Sequence, residues 1–406
     1  MKSTEKSNDN ILVSKTMFLP VEEMLEIKTK GQKIKIGIPS DFSKVEYRVP
    51  LTPQAVDLLV SYGHEIIIET GAGQAANYSD YDYRNVGAII VDTKEEIFQS
   101  DIILRIAPFS NEEIDMLRGN QVIISNIQIQ AHCNETIQKL IQKKITAIAF
   151  EYLEDENEFM PFLHQMSQIT GITSITIASE YLSNSRNGKG ILFGEVTGVA
   201  PAELVIIGTS TAAEYAARAA LGLGILVKIF DASVYELSKF EEKLGRQIFT
   251  SVFYPKVLKK ALLSADAVIG AMSFSATPKV KVSEELVKQM KENSVIIDLN
   301  ISQGGCFETS KCTDLNNPTY IKHGIVHYCV PNIPSLVART ASISLSNILI
   351  PVLLAIGDNG GVDSYIKSSK GFRKGVYIYH GILTNHEIGR LFSIPSKDID
   401  LLLAAF

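Results

Sequence analysis

The stretch ELVIIGTSTAAEYAARAALGLGILVKIFDAS, from Glu203 to Ser233, limits the possible folds more than any other part of the chain. An apolar run of strand length meets a glycine turn. A helical segment, a second apolar run and a terminal acid follow. This is the layout of a dinucleotide-binding βαβ unit, although the turn reads G-T-S-T-A-A. In such a turn the first glycine permits the tight bend and the second lets backbone approach a pyrophosphate. The third lets the helix lie close to the strand. Here those positions are Gly208, Ser210 and Ala213. Ala213 is an accepted variant, and Ser210 is the departure. Its hydroxyl can donate to a phosphate oxygen at the helix N-terminus, or its bulk can push the pyrophosphate outward. Asp231 ends the second strand, where an acid receives the adenosine ribose hydroxyls and favours NAD over NADP.

The same alternation runs along most of the chain. KIGIPS is a short strand. TPQAVDLLVSYG is a helix opened by Thr52 with Pro53 at its first position, and HEIIIET is a strand. AIIV, IILRI, QVIISNI and ITAIAF follow as apolar runs, separated by charged helical segments. A second series holds AELVIIG, LVKIFDA, DAVIGAM, SVIIDLN and IVHYCV. Between the two series, PFLHQMSQITGITSITIASEYL predicts a long crossing helix, and a long apolar helix beginning near Ser335 is expected to return to the first series. The pattern is that of an α/β protein whose parallel sheets are covered on both faces. A length of 406 residues accommodates two such domains.

Composition narrows the function classes. A net charge of −6 argues against nucleic acid held on a basic face. Cys133, Cys306, Cys312 and Cys329 form no C-x-x-C pair, as expected of reduced thiols in a cytoplasmic protein. Cys306 and Cys312 have no histidine at ligand spacing, so no metal site is expected. No uninterrupted apolar run approaches ~18 residues, so no membrane span is expected. The opening MKSTEKSNDN lacks the apolar core of a secretory signal.

The chain resembles the L-alanine dehydrogenases and the related NAD-binding alpha subunit of proton-translocating transhydrogenase. The likeness starts near Lys35, in KIGIPSDFSKVEYRVPLTPQAVDLLVSYGHEIIIETGAGQAANYSD. It continues through VIIDLNISQGGCFETS, PTYIKHGIVHYCVPNIPSLVARTASISLSN and KGVYIYHGILTNHEIGRLF, of which the last two follow the alanine dehydrogenase branch. The resemblance implies two Rossmann-type doubly wound domains with a cleft between them. The first would be discontinuous, formed by residues 34–166 plus 335–406, and would hold the substrate. The NAD-binding domain would span 167–334, after an N-terminal extension of 1–33. It also implies a homo-oligomer, dimer or hexamer, acting on a small carboxylate such as pyruvate or L-alanine.

The resemblance assigns site residues unevenly. Arg48 stands where an arginine holds the substrate carboxylate, and a bidentate guanidinium suits that task. Met166 and Ser167 match the Met-Ser pair at the cofactor, and Asn332 matches the asparagine beside the nicotinamide. The catalytic groups do not match. Ala107, in LRIAPF, stands at the substrate-binding lysine, with Arg105 two positions earlier. Gln128, in NIQIQAHC, replaces the proton-relaying histidine, with His132 four positions later. Ser302 replaces the catalytic aspartate. The nicotinamide-gripping loop of the transhydrogenase branch is not visible in ENEFMPFLHQMSQITG. Reductive amination needs a group that exchanges a proton near neutral pH, and alanine, glutamine and serine offer none alone.

Some residues keep two readings. Arg48 is a substrate anchor or a structural ion-pair partner. His164 is a replacement proton donor or a surface or capping residue. His327, inside IVHYCV, is a hydrogen-bonded core histidine or a catalyst, and Tyr47 lines the cleft or simply packs. Three functions stay open: an NAD-dependent oxidoreductase with an altered site, a silent relative that binds NAD(H) or a carboxylate, and a structural oligomer that has lost the cofactor.

Overall fold

A computed structural model describes residues 31–41, 45–127, 134–273 and 281–404. The apolar runs become strands of two sheets, each strand too short to bury its faces alone. The first sheet contains β1 (Lys35–Ile38), β2 (Glu65–Glu69), β3 (Ile89–Val91), β4 (Ile102–Leu104), β5 (Val122–Ser125) and β6 (Thr146–Ala149). The second contains β7 (Glu203–Ile207), β8 (Leu226–Phe230), β9 (Phe249–Ser251), β10 (Ala267–Gly270), β11 (Val295–Asp298), β12 (Thr319–Lys322) and β13 (Ile325–Tyr328). The chain then returns to the first sheet as β14 (Val376–Tyr379) and β15 (Ile382–Leu383). The orders are β15-β14-β6-β5-β4-β1-β2-β3 and β12-β13-β11-β10-β7-β8-β9.

The sheets are mixed rather than purely parallel. β14 pairs antiparallel with β6 and β15, and β12 pairs antiparallel with β13. These strands sit at or near sheet edges, where a short hairpin replaces a helical crossover. The remaining ladders are parallel, and the central strands are buried on both faces while the edge strands β3 and β9 stay partly exposed. In β2, Ile66 and Ile68 enter one apolar cluster and Ile67 enters the cluster on the opposite side. That is the period of two expected of a strand.

Both long helices form where the sequence places them. Pro161–Leu182 carries Pro161 at its first turn. Ala338–Asp358 follows a short 3₁₀ turn, Ile333–Val337. By length and composition the stretch Ile333–Asp358 could cross a membrane, with mean hydropathy 1.8. Its residues Ala341, Leu345, Leu349, Leu353 and Ile356 lie instead in the first sheet's core cluster, on one helical face.

Serines on that same face hold the loop after β1. Tyr47 N–H donates to Ser335 Oγ at 2.7 Å, Val49 N–H to Ser342 Oγ at 2.9 Å and Thr52 N–H to Ser346 Oγ at 2.9 Å. Buried backbone donors must find partners, and here side chains from the far end of the chain supply them. Thr52 then caps the helix Pro53–Ser61 by accepting from Ala55 N–H.

Ser342→Ala removes the acceptor from the buried Val49 N–H and should cost about 1–3 kcal/mol. Ser344→Ala, whose hydroxyl faces Gln165 at the surface, should stay within ~0.5 kcal/mol. Urea unfolding of the two variants measures the difference, and equal midpoints would show that the serine stitching contributes nothing.

Candidate functional site

Open α/β sheets bind ligands at the carboxyl ends of strands where the strand order reverses direction. In the second sheet that point lies between β7 and β10, and in the first between β1 and β4. The segment after β7 carries Gly208, Ser210 and Ala213. The segments after β1 and β4 carry Arg48 and Ala107.

Gly208 has φ +106°, a conformation that L side chains rarely adopt, and a Cβ there would lie 2.4 Å from the Ala271 carbonyl oxygen. The turn is therefore pressed against the exit of β10. Ser210 is the N-cap of the helix Thr211–Gly222, and its Oγ accepts from Ala213 N–H at 3.3 Å. The hydroxyl satisfies one orphan donor of the helix end, and its own hydrogen remains able to donate. Ala213 is fully buried. The helix also lies close to Pro161–Leu182, since a Cβ on Gly171 would come 2.3 Å from the Ala212 carbonyl oxygen.

Asp231 is fixed from two sides. Thr209 Oγ1 donates to Oδ2 at 2.9 Å and Ser233 N–H donates to Oδ1 at 2.9 Å. Thr209, the residue between Gly208 and Ser210, is a part of the site that sequence reading overlooked. Its only signal was a hydroxyl in a turn facing an acid at the end of the next strand.

Arg48 is buried in a network that joins the exits of β1 and β13. Glu46 takes its Nε at 2.7 Å and its Nη2 at 2.6 Å, with both side chains only 3% exposed. Nη1 faces the Met166 sulfur at 3.3 Å. Asn332 Nδ2 donates to Glu46 Oε2 at 2.9 Å and to the Val45 carbonyl at 3.1 Å. Ser335 Oγ approaches Glu46 Oε1 at 3.3 Å. The structure thus brings Arg48, Met166 and Asn332 together, Met166 by direct contact and Asn332 through a glutamate that was legible in EYRVP but not singled out. Ser167 is buried on the same helix as Met166.

The other positions are dispersed. Ala107 is half-buried after β4 and offers no polar group. Arg105 does not turn to replace the lysine. It is buried between Asp41, at 3.3 Å, and Glu113, which also pairs with Lys94 at 2.7 Å. Burial opposes the charge on Glu113, but Arg105 and Lys94 outweigh it and hold the carboxyl below its ordinary range. Ser302 is exposed on the turn Ile301–Gln303. Gln128, His132 and Cys133 lie outside the described residues. His164 packs its ring 5.0 Å from Phe159 and 5.9 Å from Tyr215. His327 is fully buried, bonded to Thr309 Oγ1 at 2.8 Å and to the Ile325 carbonyl at 3.0 Å. Burial lowers its pKa, so it is a neutral core histidine. No group of three or more metal-ligating side chains occurs among the described residues.

Residues 37–170 match the N-terminal domain of the family described as Alanine dehydrogenase/PNT, and residues 174–386 match its C-terminal domain. The chain belongs to the alanine dehydrogenase/PNT family. Alanine dehydrogenase 2 of Staphylococcus aureus strain USA300 is 34% identical over 370 residues, covering 90% of this chain and 99% of that protein. A solved L-alanine dehydrogenase superposes with a TM-score of 0.81 at 32% identity, covering 88% of this chain and 99% of that one. A transhydrogenase from Sinorhizobium meliloti shares the fold, with a TM-score of 0.72 at 19% identity over 86% of this chain and 98% of its own.

This is a family of NAD(H)-binding oxidoreductases. The cradle fits that cofactor. Gly208 leaves no room for a side chain, a capped helix N-terminus follows, and an oriented carboxylate ends β8.

Two binding measurements test the cradle. NADH should bind more tightly than NADPH, because Asp231 repels a 2′-phosphate. Asp231→Ala should weaken NADH by ~1.5–3 kcal/mol for each charge-assisted bond lost and should narrow the gap to NADPH. Gly208→Ala introduces strain of ~1–3 kcal/mol at positive φ and should lower NADH affinity sharply. Calorimetric titration reads both, and an unchanged NADH:NADPH ratio in Asp231→Ala would remove Asp231 from the site.

Proposed function

We propose that this protein binds NAD(H) at the Gly208 turn and a small 2-oxo or amino acid at Arg48, and that it transfers hydride between them slowly. The observation that carries this reading is the network joining Arg48 to Asn332 and Met166. It sets a carboxylate anchor beside the residues that the resemblance assigns to the nicotinamide side.

The cofactor, when bound, supplies or accepts the hydride. The remaining work falls to side chains. Ser210 and the first turn of the helix Thr211–Gly222 face the pyrophosphate. Asp231, held by Thr209, receives the ribose hydroxyls. Asn332, Met166 and Ser167 border the nicotinamide. Arg48 holds the substrate carboxylate through N–H groups that Glu46 leaves open, for which pyruvate or L-alanine is the simplest partner.

Among the described residues, the positions of the lost catalytic groups supply no proton relay. Ala107 cannot polarise a carbonyl, Arg105 is paired with two acids, Ser302 is exposed, and His164 packs its ring against Phe159 and Tyr215. General acid–base assistance is worth ~10²–10⁴-fold, so reductive amination of pyruvate should run orders of magnitude below ordinary rates.

The diversion of Arg105 also favours a second reading. A cleft that binds cofactor and carboxylate without turnover would act as an NAD(H) sensor or partner protein.

Steady-state assays with NADH, pyruvate and ammonia separate the two. The combined substitution Ala107→Lys, Gln128→His and Ser302→Asp should raise the rate well above the parent, while single restorations do little, because residues acting as a unit are non-additive. Turnover of the parent at ordinary enzyme rates would sink the claim that these positions limit the chemistry. A triple variant as inactive as the parent, with NADH still bound, would favour the sensor.

A further inference from the structure

Glu46 has no function in the readings above, yet its carboxylate accepts five hydrogen bonds. Its Oε1 accepts from Arg48 Nε at 2.7 Å, Arg48 N–H at 3.1 Å and Ser335 Oγ at 3.3 Å. Its Oε2 accepts from Arg48 Nη2 at 2.6 Å and Asn332 Nδ2 at 2.9 Å. These donors come from two stretches far apart in the chain: Arg48 in the loop after β1, and Asn332 and Ser335 in the turn between β13 and the helix Ala338–Asp358.

We propose that Glu46 is a positioning residue that locks Arg48 and Asn332 into one unit, so that substrate anchor and nicotinamide-side amide keep a fixed relation. The proposal rests on the reading of Arg48 as the carboxylate anchor.

The geometry explains how one arginine serves two carboxylates. Glu46 takes the Nε–H and one N–H on Nη2, and the Met166 sulfur faces Nη1. An N–H remains on each terminal nitrogen, enough to bind a second carboxylate with two parallel hydrogen bonds. A guanidinium on a long flexible stem pays rotamer entropy when it binds. With Glu46 holding one edge, that cost is met on folding and the other edge stays oriented. Because Glu46 also holds Asn332, a shift of either residue is transmitted to the other.

The test uses the full chain loaded with NADH and titrated calorimetrically with pyruvate. Glu46→Gln, Arg48→Lys and the double variant are compared with the parent. Glu46→Gln should weaken pyruvate by at least about tenfold, since small misplacements of a positioning group cost up to ~10²-fold. NADH affinity should fall less than pyruvate affinity, because the groups read as holding the pyrophosphate and ribose, Ser210 and Asp231, make their contacts with Ala213, Thr209 and Ser233 and not with Glu46. The double variant should bind pyruvate no worse than Arg48→Lys alone, because Glu46 acts through Arg48. A purely structural role predicts the opposite pattern: additive losses, with NADH affinity falling in parallel. Pyruvate affinity unchanged in Glu46→Gln overturns the positioning role while leaving the anchor intact. Affinity unchanged in Arg48→Lys overturns both. If Glu46→Gln does not fold, Glu46→Asp keeps the charge but shortens the reach. It should lose pyruvate affinity severalfold, and parent-like binding by that variant overturns the proposal.

Discussion

The loop from Glu46 to Thr52 belongs to neither sheet, so its backbone donors have no ladder to join. Everything distinctive about the cleft depends on how they are satisfied. Ser335, Ser342 and Ser346 lie on the inward side of the C-terminal stretch and accept from Tyr47, Val49 and Thr52. A buried N–H left without an acceptor costs more than an ordinary hydrogen bond contributes. The shape of this loop therefore depends on the docked far end of the chain. With that end in place, Glu46 meets Asn332 and Ser335, and Arg48 is clamped. The return of β14 to β6 and the clamping of Arg48 are two consequences of one long-range closure.

Packing in the cofactor half has a different origin. There, backbone approaches backbone at glycines. Gly208 brings the turn against Ala271, and Gly171 lets the long helix lie on Ala212 of the turn helix. The run of alanines along Thr211–Gly222 keeps that contact dry and close, with Ala213, Ala216, Ala217 and Ala220 all fully buried. Ser210 fits this arrangement because its work is local. It caps the helix it precedes, a task for which serine is among the preferred residues. The side chain that departs from the glycine pattern thus has a structural role whatever it does for phosphate.

Much of this was legible in the residues. Continuous apolar runs such as IILRI and DAVIGAM marked buried parallel strands, and Thr52-Pro53 marked a helix start. The long helix spans Pro161–Leu182, the very segment read from its composition. The strands left unread were short or two-sided. FTS in β9 has no apolar run, and β12, β14 and β15 exist through pairing with partners distant or reversed in direction, which local periodicity cannot reveal. At the site, Gly208, Ala213 and Asp231 sit on elements with clear signatures. Glu46 and Thr209 had none. Each matters because of what a remote segment places opposite it, and a glutamate two positions from an arginine in an extended loop does not announce a bidentate pair.

The charge pattern of the cleft follows from the same contacts. Arg105 would present a cation near the position of Ala107, but Asp41 and Glu113 absorb it. Arg48 is matched by Glu46 at an almost fully buried contact. A buried ion pair gains little net stability over an apolar one, since desolvation consumes most of the Coulomb attraction. Its use must lie in geometry. On the proposed reading, a carboxylate ligand arriving at Arg48 would meet an anchor whose charge is already balanced, so attraction at long range would be weak and recognition would fall to the direction of the remaining N–H groups. Such a site discriminates by shape and hydrogen-bond angle more than by net charge. Among the described residues, Arg48 and Arg105 are both matched by carboxylates, whereas a free lysine at position 107 would be suited to stabilise a developing oxyanion. On that reading, the contacts that would order Arg48 as a carboxylate receptor would also leave it little positive charge to offer a reacting oxygen.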